Sequence, residues 1–202
     1  METLKGRKFK KIVTACPHCL HVLSVEYPQF GGTFEVVPHV KFVLDLLKAG
    51  RLRLEPATGT PGIPHSALPI PHSSRIVYHD SCYLGRYRGI YEEPRELLAR
   101  LQGAPPLEPE RARDRSFCCG AGGGRMWLEE RLGKRINLAR FDQLAARSPE
   151  IVATACPYCL TMMDDAVKDR GQEEKVKARD LAELVAARLK PSAAPPAPAP
   201  GA

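Results

Sequence analysis

The chain has 202 residues, of which 44% are hydrophobic and 26% are charged, fractions typical of a globular protein with one or two cores. No stretch approaches the ~18 apolar residues needed to cross a bilayer. The charged N-terminus lacks the apolar region of a secretory signal, so we expect a cytoplasmic protein. The net charge of +7 is spread along the chain, and aromatic residues make up only 6%. These values disfavour a base-stacking surface, and we expect no nucleic-acid partner.

Short β-branched runs alternate with helical patterns along the chain, which favours an α/β fold with parallel sheets. Residues 55–74 contain five prolines and no periodicity, and they predict a linker or long surface loop. The Pro/Ala-rich residues 191–202 predict a disordered tail. In chain order the predicted elements are strand 11–15, helix 17–26, strand 34–38, helix 40–48, strand 75–79, helix 92–101, helix 126–146 (the longest), strand 151–155, helix 158–170, strand 176–178 and helix 181–189.

The sequence contains an internal repeat. Residues 12–20 and 152–160 share the pattern Thr-Ala-Cys-Pro-x-Cys-Leu at an offset of 140 residues. The other cysteines of the second copy have no counterpart in the first, because positions 140 residues earlier fall before the first residue. We therefore expect residues 1–54 to be the C-terminal part of a first, incomplete unit and residues 75–190 to be a complete second unit.

The chain has seven cysteines and no signal peptide, which predicts reduced thiols at metal or redox sites rather than a disulfide framework. Cys156 and Cys159 open a predicted helix, where residues i and i+3 share a face and the free amides favour the thiolate. The same holds for Cys16 and Cys19. A lone pair of this kind is also found in thioredoxin-like redox sites and in half of a zinc site.

The adjacent pair Cys118 and Cys119, followed by Gly120 and further glycines, is the sharpest signal in the sequence. Adjacent side chains diverge, so the pair suits two different metals of one polynuclear cluster. The glycine backbone can approach closely and donate N–H groups to cluster sulfides. A phosphate-cradling loop is the rival interpretation, but the segment lacks the Lys-Ser/Thr of that motif.

Cys82 follows a predicted strand and can converge with the other cysteines, because sites gather at the carboxyl ends of parallel strands. We expect its neighbours His79 and Asp80 to be hydrogen-bond partners of the site rather than ligands. Five thiolates exceed the four of a tetrahedral zinc site, and soft thiolates select iron–sulfur, zinc or copper(I). This favours a polynuclear iron–sulfur cluster over zinc or a thiol–disulfide pair, and the sequence assigns no catalytic residue. The predicted ligands are Cys82, Cys118, Cys119, Cys156 and Cys159, with Gly120 beside them and Cys16 and Cys19 as an incomplete second site.

The spacing Cys-x35-Cys-Cys-Gly-x36-Cys-x-x-Cys resembles the cysteine-rich CCG domain. That domain occurs in heterodisulfide reductase and in the iron–sulfur subunits of glycolate, lactate and glycerol-3-phosphate oxidation systems. Residues 79–94 and 117–127 are similar to the branch linked to electron-transfer flavoprotein or acyl-CoA dehydrogenase systems. The resemblance covers residues 9–190. It implies a non-cubane four-iron cluster on the five cysteines, transferring electrons between a flavoprotein dehydrogenase and a quinone or disulfide acceptor.

The family usually carries two CCG units behind ferredoxin-type clusters, often with a membrane anchor. This sequence departs from that pattern on its N-terminal side, so we expect a truncated chain. The implied partners are a flavoprotein dehydrogenase or electron-transfer flavoprotein and a ferredoxin-type subunit. A partner of this kind could hold the chain at the inner face of the membrane. The alternative function is a non-redox zinc-binding structural or interaction module that uses the same cysteines.

Overall fold

The computed structural model describes residues 2–55, 75–129 and 133–189. The predicted linker, apart from its first residue, and the predicted tail lie outside the described residues. In chain order the elements are α1 (Glu2–Lys5), β1 (Ile12–Thr14), α2 (Pro17–His21), β2 (Val36–Pro38), α3 (His39–Lys48), β3 (Ile76–Tyr78), α4 (Glu92–Gln102), α5 (Ile136–Ala145), β4 (Ile151–Thr154), α6 (Pro157–Asp169), β5 (Lys177–Asp180) and α7 (Leu181–Ala186).

The strands form two parallel sheets, and the predicted α/β class is confirmed. Strands β1 and β2 pair in parallel, with Ile12 opposite Val36. The second sheet has the order β3-β4-β5, with Ile151 opposite both Ile76 and Lys177. Every residue of β3 and of the central strand β4 is buried. Burial on both faces explains why the sequences of these strands are continuously apolar rather than alternating between apolar and polar residues.

Apolar layers cover both faces of the three-stranded sheet. On one face Ile76 packs in a cluster with Leu97 of α4 and Leu184 of α7. On the other face Val77 packs with Phe141 of α5 and Met163 of α6. The alternation of neighbouring strand residues between the two clusters follows from the two-residue period of a strand.

The N-terminal segment shares the first of these clusters. Leu20 and Val40 lie in the same buried cluster as Ile76. Polar contacts join the segments as well, because Nε2 of His39 lies 3.2 Å from Oδ1 of Asp180. The two sheets are therefore held by one continuous region of apolar packing.

The prediction of one continuous helix over Met126–Ala146 is wrong. A 3-10 turn covers Gly122–Trp127, and α5 begins only at Ile136. The backbone of Gly133 is left-handed, with φ +67°, and that of Arg135 is extended, with ψ 136°. Neither conformation fits a continuous α-helix, so the apolar spacing across this segment does not produce one.

The first predicted helix, over residues 17–26, is correct only at its start. Helix α2 ends at His21 and continues as a π-helical turn over Val22–Glu26. The hydroxyl of Ser24 donates a 2.5 Å hydrogen bond to the carbonyl of Leu20, which is the kind of local contact that competes with helix geometry. Among the described residues, none of the helices has the length and apolar character that a membrane crossing requires.

Candidate metal centre

Cys156 and Cys159 are placed by the junction between β4 and α6. The backbone of Cys156 remains extended as the residue before the helix, and Pro157 begins the first turn. Both thiols are almost fully buried, with Cys156 at 0% and Cys159 at 2% exposure. The sequence therefore builds this pair at the carboxyl end of the central strand, where parallel sheets place their sites.

The adjacent cysteines are placed by a tight turn that requires glycine. The amide of Gly120 donates to the sulfur of Cys118 at 3.3 Å. Gly120 has φ +91°, and a Cβ there would lie 3.1 Å from the backbone nitrogen of Asn137. Because of that close approach to α5, the turn can present Cys119 to the interior, where it is 5% exposed.

The structure brings thiols from separate segments together. A ring nitrogen of His79 and the sulfur atoms of Cys119 and Cys159 all lie within 4.8 Å of one another. Cys118 adjoins Cys119 in the turn, and Cys156 and Cys159 share the start of α6. The turn and the start of α6 therefore bring the two cysteine pairs together, with Cys118 half-buried and the other three buried.

Cys82 lies beside this group. It follows the end of β3 and is half-buried. Burial raises the pKa of its thiol, and the charges of Cys119 and Cys156 raise it further. A cation placed among these sulfurs would reverse that repulsion.

The thiols of the group differ widely in pKa. Hydrogen bonds from Cys118 and Cys159, with His79 as a further partner, hold the pKa of Cys119 far below its ordinary value. A hydrogen bond from Cys159 likewise lowers the pKa of Cys156. The hydrogen bond to Cys119 raises the pKa of Cys118 well above the ordinary value. The pocket thus stabilises thiolates with S–H donors, and a soft metal would take the place of those protons.

Asp80 is committed to a buried ion-pair network rather than to the cysteines. Its two carboxylate oxygens accept from Nη1 and Nη2 of Arg95 at 2.8 and 2.9 Å. Oδ2 also accepts from the backbone of Arg113 at 2.8 Å. Nε of Arg95 donates to Glu108 at 2.6 Å. The network fixes the loop between β3 and Cys82.

The sequence analysis did not identify Arg140 as part of the site. Its side chain is fully buried, and its Nε donates to Nδ1 of His79 at 3.0 Å. Its Nη2 donates to Oγ of Ser116 at 3.2 Å. The sequence does hold a signal for Arg140. With helical spacing, Asn137 and Arg140 fall on the same face as Phe141, and this is the face that α5 buries. A polar residue on an apolar stripe is often functional, but nothing in the sequence names its partner.

Among the described residues, the compact group of His79, Cys119 and Cys159 does not include Cys16 or Cys19. Cys16 is half-buried and Cys19 is exposed. Nδ1 of His18 lies 3.8 Å from the sulfur of Cys16, and the His18 ring packs 4.1 Å from that of Tyr83, next to Cys82. Burial raises the pKa of Cys16. The described residues therefore supply only two cysteines at this second location.

A pocket of about 270 Å³ opens beside the turn that carries the adjacent cysteines. Trp127 lines this pocket and is 78% exposed. Gly122 has ordinary backbone angles, and a Cβ at this position would meet nothing within 4 Å. The pocket is lined by His18, Ala121, Gly122, Gly123, Gly124, Met126, Trp127 and Tyr158.

The cysteine group lies in a segment that matches a known family. Residues 76–164 match the CCG family, the cysteine-rich domain, and contain five of the seven cysteines. The resemblance inferred from the cysteine spacing is confirmed over this segment.

Three relatives place the chain more closely. It is 44% identical over 177 residues to the probable iron–sulfur-binding oxidoreductase FadF of Bacillus subtilis, which covers 88% of this chain and 23% of FadF. It is 40% identical over 192 residues to the EtfAB:quinone oxidoreductase of Syntrophomonas wolfei, covering 92% and 25%. It is 29% identical over 192 residues to one subunit of the dihydromethanophenazine:CoB–CoM heterodisulfide reductase of Methanosarcina barkeri, covering 94% and 43%. The chain thus spans about a quarter of the first two relatives.

Proposed function

We propose that this chain is an electron-transfer component of an iron–sulfur oxidoreductase. Its cluster, a non-cubane four-iron cluster, would pass electrons between a flavoprotein dehydrogenase and a quinone or disulfide acceptor. The proposed ligands are Cys82, Cys118, Cys119, Cys156 and Cys159. The names of the relatives FadF and EtfAB:quinone oxidoreductase agree with this assignment.

The proposal depends chiefly on the convergence of thiols within one buried group. Cys119 lies within 4.8 Å of Cys159, although 39 residues lie between them in the sequence. A single tetrahedral zinc ion uses four ligands, whereas the proposed ligand set has five sulfurs, with a backbone N–H at Gly120 beside them. That donor set fits a polynuclear cluster, whose potential depends on hydrogen bonds to sulfur.

The pocket beside the adjacent cysteines supports the proposed acceptor chemistry. Its walls are mostly apolar and include the rings of His18, Trp127 and Tyr158. Aromatic and glycine surfaces of this kind suit a flat ring such as a quinone, and its volume of about 270 Å³ is near the lower end for ligand pockets. We propose that the acceptor or its carrier approaches the cluster from this side.

The proposed division of the chain into two CCG units assigns Cys16 and Cys19 to a second, incomplete site. Three further ligands would have to come from another segment of polypeptide. Proposed partners are the flavoprotein dehydrogenase, or an electron-transfer flavoprotein, and a ferredoxin-type subunit. The relatives include named subunits of multi-subunit redox enzymes, which supports an assembly of this kind.

The test is anaerobic reconstitution of the 202-residue chain with iron and sulfide. We expect about four irons and matching acid-labile sulfide per chain, with an electron paramagnetic resonance signal in one redox state. The Cys119→Ser variant should lose most of the iron. The matched control is the double variant Cys16→Ser/Cys19→Ser, which should retain it. Stoichiometric zinc without iron would reject the proposal.

A zinc-binding structural module that uses four of the five cysteines is the second candidate, and one observation favours it. Cys119 and Cys159 lie within 4.8 Å of each other, and thiolates are ligands that zinc binds. This candidate predicts a colourless protein. It also predicts that zinc binding survives replacement of Cys118 alone, so the same samples separate the two functions.

A further inference from the structure

Arg140 is a buried cation whose direct partners are all neutral. Its Nη1 donates to the carbonyl of Arg111 at 2.9 Å and to the side-chain oxygen of Gln143 at 3.0 Å. Its other two bonds go to Ser116 and His79. Among the described residues no carboxylate lies within 4.0 Å of it. Burial lowers the pKa of Arg140 to about 10, so the guanidinium remains protonated at neutral pH.

The nearby ion pair shows how unusual this environment is. Arg95, which is also buried, is held by the carboxylates of Asp80 and Glu108. A buried guanidinium normally needs such a partner, because desolvation of an uncompensated charge is costly. The carboxylate of Asp80 supplies the largest compensating charge for Arg140 without touching it, and Cys159 supplies a smaller one. Arg140 therefore lies between the Asp80 network and the cysteine group, and His79 is its contact on the cysteine side.

The bond from Arg140 determines which nitrogen of His79 carries the proton. A guanidinium can only donate, so Nδ1 of His79 must accept with its lone pair. Burial lowers the pKa of His79, and the charge of Arg140 lowers it further, against the opposing influence of the nearby Cys119 sulfur. The neutral ring then carries its proton on Nε2. That atom is buried and has no ordinary hydrogen-bond partner among the described residues.

The same bond argues against His79 as a metal ligand. A histidine that binds a metal through one nitrogen normally donates the other N–H to a carboxylate, a carbonyl or water. Here the partner is a donor that cannot accept. The remaining direction for Nε2–H is the cysteine group, whose sulfurs at Cys119 and Cys159 lie within 4.8 Å of the ring.

We propose that Arg140 is a positioning residue that holds His79 in its Nε2–H form, aimed at the sulfur of Cys119. In the metal-free protein this N–H stabilises the thiolate. With the proposed cluster bound, it donates to a ligating sulfur and favours the more reduced, more negative state, which raises the reduction potential. The first statement is independent of the proposed function, and the second rests on it.

The decisive experiment is ¹⁵N nuclear magnetic resonance of the reduced, metal-free chain with labelled histidine. We expect His79 to show an unprotonated Nδ1 and a protonated Nε2. The Arg140→Met variant should show a mixture of tautomers, whereas the exposed Arg100→Met should leave the His79 pattern unchanged. A proton on Nδ1 in the wild-type chain would overturn the proposal, and this result needs no variant to fold.

The second measurement uses the reconstituted chain. His79→Leu and Arg140→Met should each lower the midpoint potential, and the double variant should add little to His79→Leu alone. Additive shifts, or no shift, would overturn the assignment of Arg140 as acting through His79. If no cluster assembles, the proposed function fails while the tautomer result stands. Direct ligation would appear as loss of the Nε2 proton when zinc alone is added, which would also refute the proposal.

Discussion

Replacing Asp80 by asparagine should be among the most destabilising polar changes near the site. Asp80 and Arg95 have side-chain exposures of 3% and 7%, and both oxygens of Asp80 accept from Arg95. Asp80→Asn turns one of these acceptors into a donor facing the guanidinium. Removing one member of a buried ion pair costs about 3–5 kcal/mol. Because Arg95 keeps its bond to Glu108, we place the loss near the lower end, at about 3 kcal/mol.

Urea unfolding followed by circular dichroism measures this loss. With a slope of about 2 kcal/mol/M, a loss of about 3 kcal/mol lowers the midpoint by roughly 1.5 M. The matched control is Arg100→Ala, which breaks an exposed pair with Glu96 and should cost about 0.3–0.5 kcal/mol. If Asp80→Asn lowers the midpoint no more than Arg100→Ala, the reasoning from burial is refuted.

Other variants test the turn and the core. Gly120→Ala should lower the iron bound per chain, because φ is +91° and the new Cβ meets a backbone nitrogen of α5 at 3.1 Å. Gly122→Ala meets nothing and should bind iron normally; equal iron in both variants would contradict the geometry. Phe141→Ala should lower the free energy of unfolding by about 3–5 kcal/mol, because the ring is fully buried. Trp127→Ala, at 78% exposure, should change it by less than about 0.5 kcal/mol, and similar losses for both would show that burial is not the cause.

Local sequence signals predicted the strands and helix starts well. The apolar run over residues 151–154 and the Cys-Pro sequence after it locate both β4 and the start of α6. Each of these signals depends on residues close in sequence, namely β-branched side chains in the strand and proline in the first helical turn. The convergence of the five cysteines on one cluster stays a prediction, although the structure places Cys119 beside Cys159.

Two features could not be read from local patterns. The long helix was predicted from apolar spacing, but the backbone is left-handed at Gly133 and extended at Arg135, so no continuous helix forms there. The burial of Arg140 depends on Ser116 and His79, which lie 24 and 61 positions away in the chain. An arginine in a helix is ordinarily a surface residue, so only the folded arrangement reveals its role.

Because of the shared apolar cluster, the internal repeat does not divide this chain into two separately packed parts. Duplication in sequence often suggests detachable modules, yet Leu20 and Val40 contribute to the same buried cluster as Ile76. A fragment that begins at residue 75 would expose to solvent the apolar surface that those two side chains now cover. Such a fragment would be prone to aggregate. Loosening of the N-terminal copy would also reach β3, whose end leads directly to Cys82. Because the two segments share this cluster, we expect them to unfold in a single transition.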